Sequence, residues 1–429
     1  MQVLNIIVGL FRNSAMFISL IALLGLVLQR KSASDVIKGT FKTFIGMVIL
    51  TQGVNIISTA IQPLSTAFVE LFSIQGTADI GDFSAFLEIH GTEVGIIMLI
   101  GFVLNILIAR FTKFKTIFLT ANILYWYPML FLAVGIENEL TRWATYILAG
   151  IFYILVIIIF PHLLRPHVKN LTGSDNFTIG HTTSIYCLLG VGVGKLFAKK
   201  EKNKEQNLEH LKLPASLDFL KDTTLVAGIL ITLVYLVVLL CVGADLRTEI
   251  LAGSDVVSFS LINGMTFAAG MLIMLQGVRM MLAEIVPAFK GIASKLAPGS
   301  VPAMDIPLIF PYGANSLLIG FIIAIAINVL SIGVLGVSGI LTVPIIPLVI
   351  ACYFDVAPGA IFANKIGGAK AAVVTALLGG IIMTLLVAFT IPMVSHTVGV
   401  FLQTYGGNDY SLWTALATGV AKLFSIFGL

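Results

Sequence analysis

Apolar runs tile this chain almost from end to end. They lie near residues 5–29, 43–61, 94–109, 116–135, 143–163, 178–197, 223–243, 260–286, 300–337, 339–353, 371–394 and 410–428. A helix needs about 20 consecutive apolar residues to cross the hydrocarbon of a bilayer. The pattern predicts an all-α polytopic membrane protein with about 11 transmembrane helices, the remaining segments being broken or re-entrant. The first run is long, and no small-residue cleavage site follows a short apolar core. It is expected to stay as a span and not to act as a signal peptide.

The chain also repeats itself. Gln52, Gly53 and Val54 recur as Gln276, Gly277 and Val278, and Ile61 and Pro63 recur at the same spacing as Ile285 and Pro287. A second echo, IGFVLNILIA at 100–109 against IGFIIAIAIN at 319–328, fits the same duplication. Two related halves are expected, 1–197 and 223–429, joined by a basic loop at 198–222.

Hydrophobic residues fill 58% of the 429 positions and charged residues 11%, against roughly one-quarter charged in soluble domains. The question is therefore how many spans there are, not how many soluble domains. The net charge of +4 comes largely from two stretches, one with Arg30, Lys31, Lys38 and Lys42, the other with Lys195, Lys199, Lys200, Lys202, Lys204, Lys212 and Lys221. Lys and Arg gather in cytoplasmic loops, which puts both stretches inside and the N-terminus outside. Nothing in the chain resembles a reader of nucleic acid. Cys187, Cys241 and Cys352 are scattered among apolar residues, as packed free thiols would be. The six histidines are dispersed, and no metal-ligand spacing, phosphate-binding loop or nucleophile motif appears. No metal, cofactor or protein nucleophile is expected.

Non-helical backbone at membrane depth survives only where protein or a watery cavity surrounds it, so broken apolar segments point to a binding site. In residues 298–321 Pro298, Pro302, Pro307 and Pro311 interrupt an apolar run whose one ionisable side chain is Asp305. A lone Asp there costs about 2.5–3.5 kcal/mol on insertion scales unless paired or hydrated. That makes Asp305 a candidate for substrate binding; an Asp capping a short helix at the membrane edge is the plainer alternative. Residues 171–195 are rich in Gly, Ser and Thr, with His181 at the centre followed by Thr182, Thr183 and Ser184. Short hydroxyls beside a histidine suit a polyhydroxylated ligand, although they also bond back to their own helix. Two further polar patches join them: Asp82, Glu88, His90 and Glu93 before one span, and Asn122 with Tyr125, Trp126 and Tyr127 before Pro128. Such aromatics serve either as an interfacial belt or as a platform for a sugar.

The stretches RKSASDVIKGTFKTFIGMVILTQG, NILIARFTKFKTIFLT, FTIGH, LKLP, QGVRMMLAEIVPAFKGIASKLAPG and FANKIGGAKAA stand in this chain in that order. On these the chain resembles the ascorbate family of membrane IIC components of the bacterial phosphotransferase system, which is related to the galactitol permeases. The resemblance implies a homodimer in a lipid bilayer. Each protomer would have a V-shaped scaffold and a substrate-holding core with two re-entrant hairpins, its halves related by an inverted repeat. Five predicted segments lie between the two Gln-Gly-Val stretches, and an odd number reverses direction, as inversion requires. Both stretches would then be structural parts of the scaffold.

The resemblance also assigns substrate contacts, at His181 and Thr182, Asp305, the stretch Asn122, Ile123, Leu124, Tyr125 and Trp126, and Asp82 with Phe83. It implies uptake of a small polyhydroxylated acid, sugar or polyol, coupled to phosphorylation by a separate phosphocysteine-bearing IIB protein with a IIA protein upstream. Asp305 or His181 would accept the hydroxyl proton. The chain departs from the ascorbate members at Thr182, where they carry Gln, and at Thr120, Ala121 and Asn122, where they carry Thr-Gly-His. The departures predict a substrate related to ascorbate. Two other classes are open at this point: a proton-coupled secondary transporter with Asp305 and Glu93 as relays, and a membrane sensor on the same fold.

Overall fold

The computed structural model describes residues 14–71, 80–81, 83–198, 207–211 and 222–428. Asp82 lies outside the described residues, as does most of the basic stretch after Ala198, and for Asn122 only the backbone is described. In chain order the helices are α1 (Ser14–Leu28), α2 (Ala33–Leu71), α3 (Phe83–Phe111), α4 (Ala121–Glu137), α5 (Arg142–Thr172), α6 (Ser184–Phe197), α7 (Thr223–Cys241), α8 (Ala244–Leu251), α9 (Val256–Leu296), α10 (Ala314–Ser338), α11 (Val349–Gly367), α12 (Ala369–Thr390), α13 (Gly399–Tyr405) and α14 (Asp409–Ile426).

The architecture is all-α and polytopic, and eight described helices are long and apolar enough to cross a membrane. That number is below the expected 11 or so because several apolar runs are not single helices. The run at 300–337 divides into a strand, β3 (Val301–Met304), a 3₁₀ segment (Ile306–Tyr312) and α10. The prolines explain the division, since each removes a backbone donor and fixes φ. The runs at 116–135 and 178–197 likewise begin as short strands, β1 (Thr116–Phe118) and β2 (Thr178–Ile179), before α4 and α6.

The two longest helices, α2 and α9, pack together and run antiparallel. Lys42 meets Glu284 at 3.1 Å, Gly53 lies against Gly270 and Met274, and Ile57 lies against Gly270. Gln52 is the middle residue of α2 and Gln276 the middle residue of α9. The repeated sequence thus marks the midpoints of two helices that point in opposite directions, the relation an inverted repeat requires. Helices α1 and α7 flank the pair: Lys295 donates to the Leu28 carbonyl, and the Tyr235 hydroxyl donates to the Ala60 carbonyl at 2.5 Å. At the start of α2, Ser32 accepts from the Asp35 N–H at 3.2 Å and donates to its carboxylate at 2.8 Å. This cap begins the helix early, so Lys38 and Lys42, expected in a loop, lie on its first turns.

The rest of the chain builds a second body around a parallel sheet of order β1-β3-β2, with Thr116 opposite Val301 and Thr178 opposite Ala303. Sheet edges at membrane depth need partners, and buried side chains supply them. Asn105 of α3 accepts from the Phe118 N–H at 2.9 Å and donates to the Thr116 carbonyl at 3.2 Å, while the Thr178 hydroxyl donates to the Pro161 carbonyl at 3.0 Å. In the second half Asn328 of α10 does similar work. It accepts from the Leu348 N–H at 2.9 Å, in the extended lead into α11, and donates to the Thr384 hydroxyl at 2.8 Å.

Two segments enter this body as hairpins. Residues after α5 turn through β2 and return along α6, whose Lys195 comes within electrostatic reach of His167 near the end of α5. Helices α13 and α14 form the other hairpin, Lys422 near the end of α14 sharing a groove with Pro392 and Met393 ahead of α13. The two tips meet. Asp409 accepts from the Ser184 and Ile185 N–H groups at 2.9 Å each, its own N–H donates to the Thr182 carbonyl at 3.0 Å, and the Tyr186 hydroxyl donates to the Gly407 carbonyl.

Candidate functional site

The C-terminal ends of the three parallel strands deliver three separate pieces of sequence to one place. Thr120 and the first turn of α4 follow β1, His181 and Thr182 follow β2, and Asp305 follows β3 directly. Gly180 after β2 lets the chain pack close to β3, since a Cβ there would lie 3.0 Å from the Ala303 side chain and 3.1 Å from Phe118. The Gly180 N–H donates to the Met304 carbonyl at 2.8 Å, which sets His181 beside Asp305.

His181 stands between two carboxylates. Its Nε2 is 3.5 Å from Asp305 Oδ1 and its Nδ1 is 3.3 Å from Asp355 Oδ1. Asp305 accepts from the Ile306 N–H at 2.8 Å, capping the 3₁₀ segment. Its capping role, the plainer reading, and its approach to His181 therefore coexist.

Asp355 sits on a π turn, Cys352–Val356, inside α11. Pro358 has no N–H to give the Phe354 carbonyl, and its ring crowds that oxygen. The helix widens there, with the Ala357 N–H reaching back to the Cys352 carbonyl. π turns of this kind re-aim side chains at functional sites, and here the turn aims Asp355 at both hairpin tips. One of its oxygens accepts from the Thr182 hydroxyl at 2.6 Å and the other from the Asn408 side-chain amide at 2.8 Å, while its backbone carbonyl accepts from the Thr183 hydroxyl at 2.5 Å.

These groups line a cavity of about 130 Å³ between the two bodies. Thr51, Asn55 and Met274 close it on the side of α2 and α9, immediately beside the repeated Gln-Gly-Val sequence. Phe83, Trp126, Phe401, Tyr405 and Tyr410 form an aromatic wall. Phe83 meets Trp126 edge-on with ring centroids 5.8 Å apart, and Trp126 meets Phe401 at 5.3 Å. The volume is below the roughly 300–1,000 Å³ of drug-sized pockets, so this conformation has room for one small molecule at most. A larger groove of about 640 Å³ between α3 and α5 holds Glu93 and Arg142 but reaches neither hairpin tip. Its charges pair with each other at 3.7 Å, and the chemistry places the site in the smaller cavity.

Of the residues singled out in the sequence, His181, Thr182, Asp305, Ile123, Trp126 and Phe83 line this cavity. Leu124 and Tyr125 are buried behind it, and Tyr125 packs edge-on against Trp126 at 5.3 Å. Asn122 begins α4 next to the site, Asp82 falls outside the described residues, and Glu93 lies in the other groove. Asp355, Asn408, Tyr405, Tyr410 and the scaffold residues Thr51 and Asn55 were not singled out. Asp355 carried a usable signal. Like Asp305, it is an isolated carboxylate in an apolar run close to a proline. Asn408 reads as an ordinary helix cap, which it also is, accepting from the Tyr410 N–H at 3.1 Å.

A buried histidine held between carboxylates, beside the midpoints of two long apolar helices and where two hairpin tips meet, is the candidate site of a multi-pass membrane protein. The chain belongs to the PTS system sugar-specific permease components, the family model matching residues 9–414. As a member of that phosphotransferase family it takes a sugar substrate and works with a IIB protein. It is also 25% identical to the ascorbate-specific PTS system EIIC component of Mycoplasma pneumoniae, over 97% of this chain and 73% of that protein.

Proposed function

We propose that the cavity around His181 binds ascorbate or a related sugar acid, sugar or polyol, and that the core carries it to the cytoplasmic face for phosphorylation by a phosphocysteine-bearing IIB protein, itself charged by IIA. The working unit is a homodimer in the lipid bilayer, each protomer built from inverted halves, 1–197 and 223–429. Arg30, Lys31, Lys295 and Arg110 gather at one end of the molecule, where Lys295 bonds Leu28 and Arg110 bonds Leu296 at 2.6 Å. That basic end is the cytoplasmic one by the positive-inside rule.

The observation that carries the reading is the convergence of His181, Asp305 and Asp355 from three distant segments onto one cavity between scaffold and core. Substrate hydroxyls donate to the Asp305 carboxylate and to an imidazole nitrogen, and an apolar sugar face stacks on Trp126 and Phe401. The site supplies position and proton acceptance, with Asp305 or His181 taking the hydroxyl proton, and IIB supplies the phosphoryl group. A proton-coupled relay through Asp305 and Glu93 has no structural support, because Glu93 is paired with Arg142 in a different groove. The test uses proteoliposomes of the unaltered protein and of Asp305→Asn, supplied with phosphorylated IIB and a panel of ascorbate, galactitol and related sugar acids. A phosphorylated product from the unaltered protein, lost together with binding in Asp305→Asn, is expected. Uptake of unphosphorylated substrate would replace this reading with secondary transport.

A further inference from the structure

Asp305 and His181 both line the cavity as acceptors for a substrate hydroxyl proton, and the geometry points to Asp355 as the positioning residue that decides between them. It holds Nδ1 of His181 and leaves Nε2 to take the hydroxyl proton. This rests on the phosphorylation reading above.

Carboxylates face both ring nitrogens, but a neutral imidazole has one N–H to give, and it goes to the nitrogen whose acceptors are closer. Asp355 Oδ1 is 3.3 Å from Nδ1, and the Thr182 hydroxyl, which gives its own proton to Asp355, is 3.2 Å from Nδ1 and can accept there too; Asp355 is the more firmly anchored of the two carboxylates. The Thr182 hydroxyl, the Asn408 amide and the Thr183 hydroxyl bind its two oxygens and its carbonyl, and its side chain is only 4% exposed. These donors engage both carboxylate oxygens, so Asp355 acts through His181 and not on the substrate. Phe354, its neighbour on the π turn, stacks on the imidazole with centroids 6.4 Å apart and an interplanar angle of 29°, which restricts rotation of the ring. On the other side Nε2 is 3.5 Å from Asp305 Oδ1, looser than a good hydrogen bond. A hydroxyl lying beside the pair on the cavity side can bond both.

In the transfer the substrate O–H bond breaks and its proton moves to Nε2. The oxygen forms a bond to phosphorus as the S–P bond of the IIB phosphocysteine breaks, the electron pair leaving on the thiolate. Removing the partner that orients such an imidazole lowers rate far more than affinity. Other titratable groups around the ring are Asp305 from the end of β3, Tyr405 and Tyr410 across the cavity, and Asp409 bonded to the Ser184 N–H.

The first measurement needs no substrate. Nitrogen-15 histidine spectra of the purified full-length protein, with His181→Gln identifying the signal, should show Nδ1 protonated and Nε2 bare near neutral pH. The neutral form protonated only on Nε2 would overturn the inference. In proteoliposomes with phosphorylated IIB, and with ascorbate and galactitol as probes, Asp355→Asn should keep probe affinity within about threefold and lose at least about 100-fold in phosphorylation rate. The acid limb of its pH–rate profile should move, and Asp355→Glu should recover part of the rate. Equal losses of rate and affinity with an unchanged profile would reduce Asp355 to a structural bond, and a wild-type rate would remove it altogether. If the unaltered protein phosphorylates neither probe, the functional reading fails, while the spectra still decide whether Asp355 holds the ring.

Discussion

Gly53 in α2 lies against the carbonyl of Gly270 in α9, so close that a Cβ on Gly53 would fall 2.7 Å from that oxygen. Helix pairs in lipid gain little from hydrophobicity and depend on such close backbone approach. Gly53→Leu should therefore lower the thermal midpoint of the purified protein. Because Thr51 and Asn55 on the same helix line the cavity, it should weaken substrate binding as well. Gln52→Ala, at an exposed position, should leave both near wild type. A stable Gly53→Leu protein with unchanged affinity would show that the crossing tolerates a side chain.

Asp409 should be worth more to the fold than its surface-like sequence context implies. It is fully buried and bonds two backbone N–H groups of the opposite hairpin tip. Asp409→Ala leaves both without a partner, at about 1–3 kcal/mol each. A lower unfolding temperature and faster proteolysis near residues 173–183 are expected. Wild-type stability accompanied only by lost transport would make Asp409 a functional residue instead.

Substrate identity can be read from two positions. Thr182 gives its hydroxyl to Asp355 and Asn122 starts α4 beside the cavity, and both are shorter than the ascorbate members' side chains there. Ascorbate should bind more weakly than a related sugar acid or polyol. The double change Thr182→Gln with Asn122→His should improve it by about tenfold or more, since Gln keeps a donor for Asp355. Calorimetry with both proteins decides this; tight ascorbate binding by the unaltered chain, with no gain from the change, would show the departures to be silent.

Asp175, in the turn after α5, gives a pH dependence of known sign. The Arg165 guanidinium, bonded to it at 2.8 and 3.2 Å, holds its carboxyl below the usual carboxylate range, with Lys169 helping. A depressed folded pKa contributes stability that is present above the ordinary carboxylate value and lost as pH falls through the folded one. The difference in thermal midpoint between wild type and Asp175→Asn should be small, since the pair is partly exposed. It should be largest near neutral pH and close in acid. A difference that grows on acidification would reverse the assignment.

The sequence alone determined the class of solvent, because lipid-length apolar runs and scarce charge have no other stable home. It also showed that Gln52-Gly53-Val54 recurs as Gln276-Gly277-Val278, and that Asp305 and His181 are out of place in their segments. A buried charge is legible because its cost is local. What the tertiary structure decided is which distant groups meet. Three short strands too brief to show a period of two form a parallel sheet, and their ends carry Thr120, His181 and Asp305 to one point. Asp355 became part of the site through a π turn at Pro358, and Asn408 and Asp409 through a hairpin tip in the gap between the apolar runs at 371–394 and 410–428, which reads by itself as an ordinary loop. The repeat itself was legible. That it marks the crossing of α2 and α9, with the cavity wall one residue away at Thr51, depends on backbone contact between helices over two hundred positions apart, and no local pattern encodes a contact of that separation.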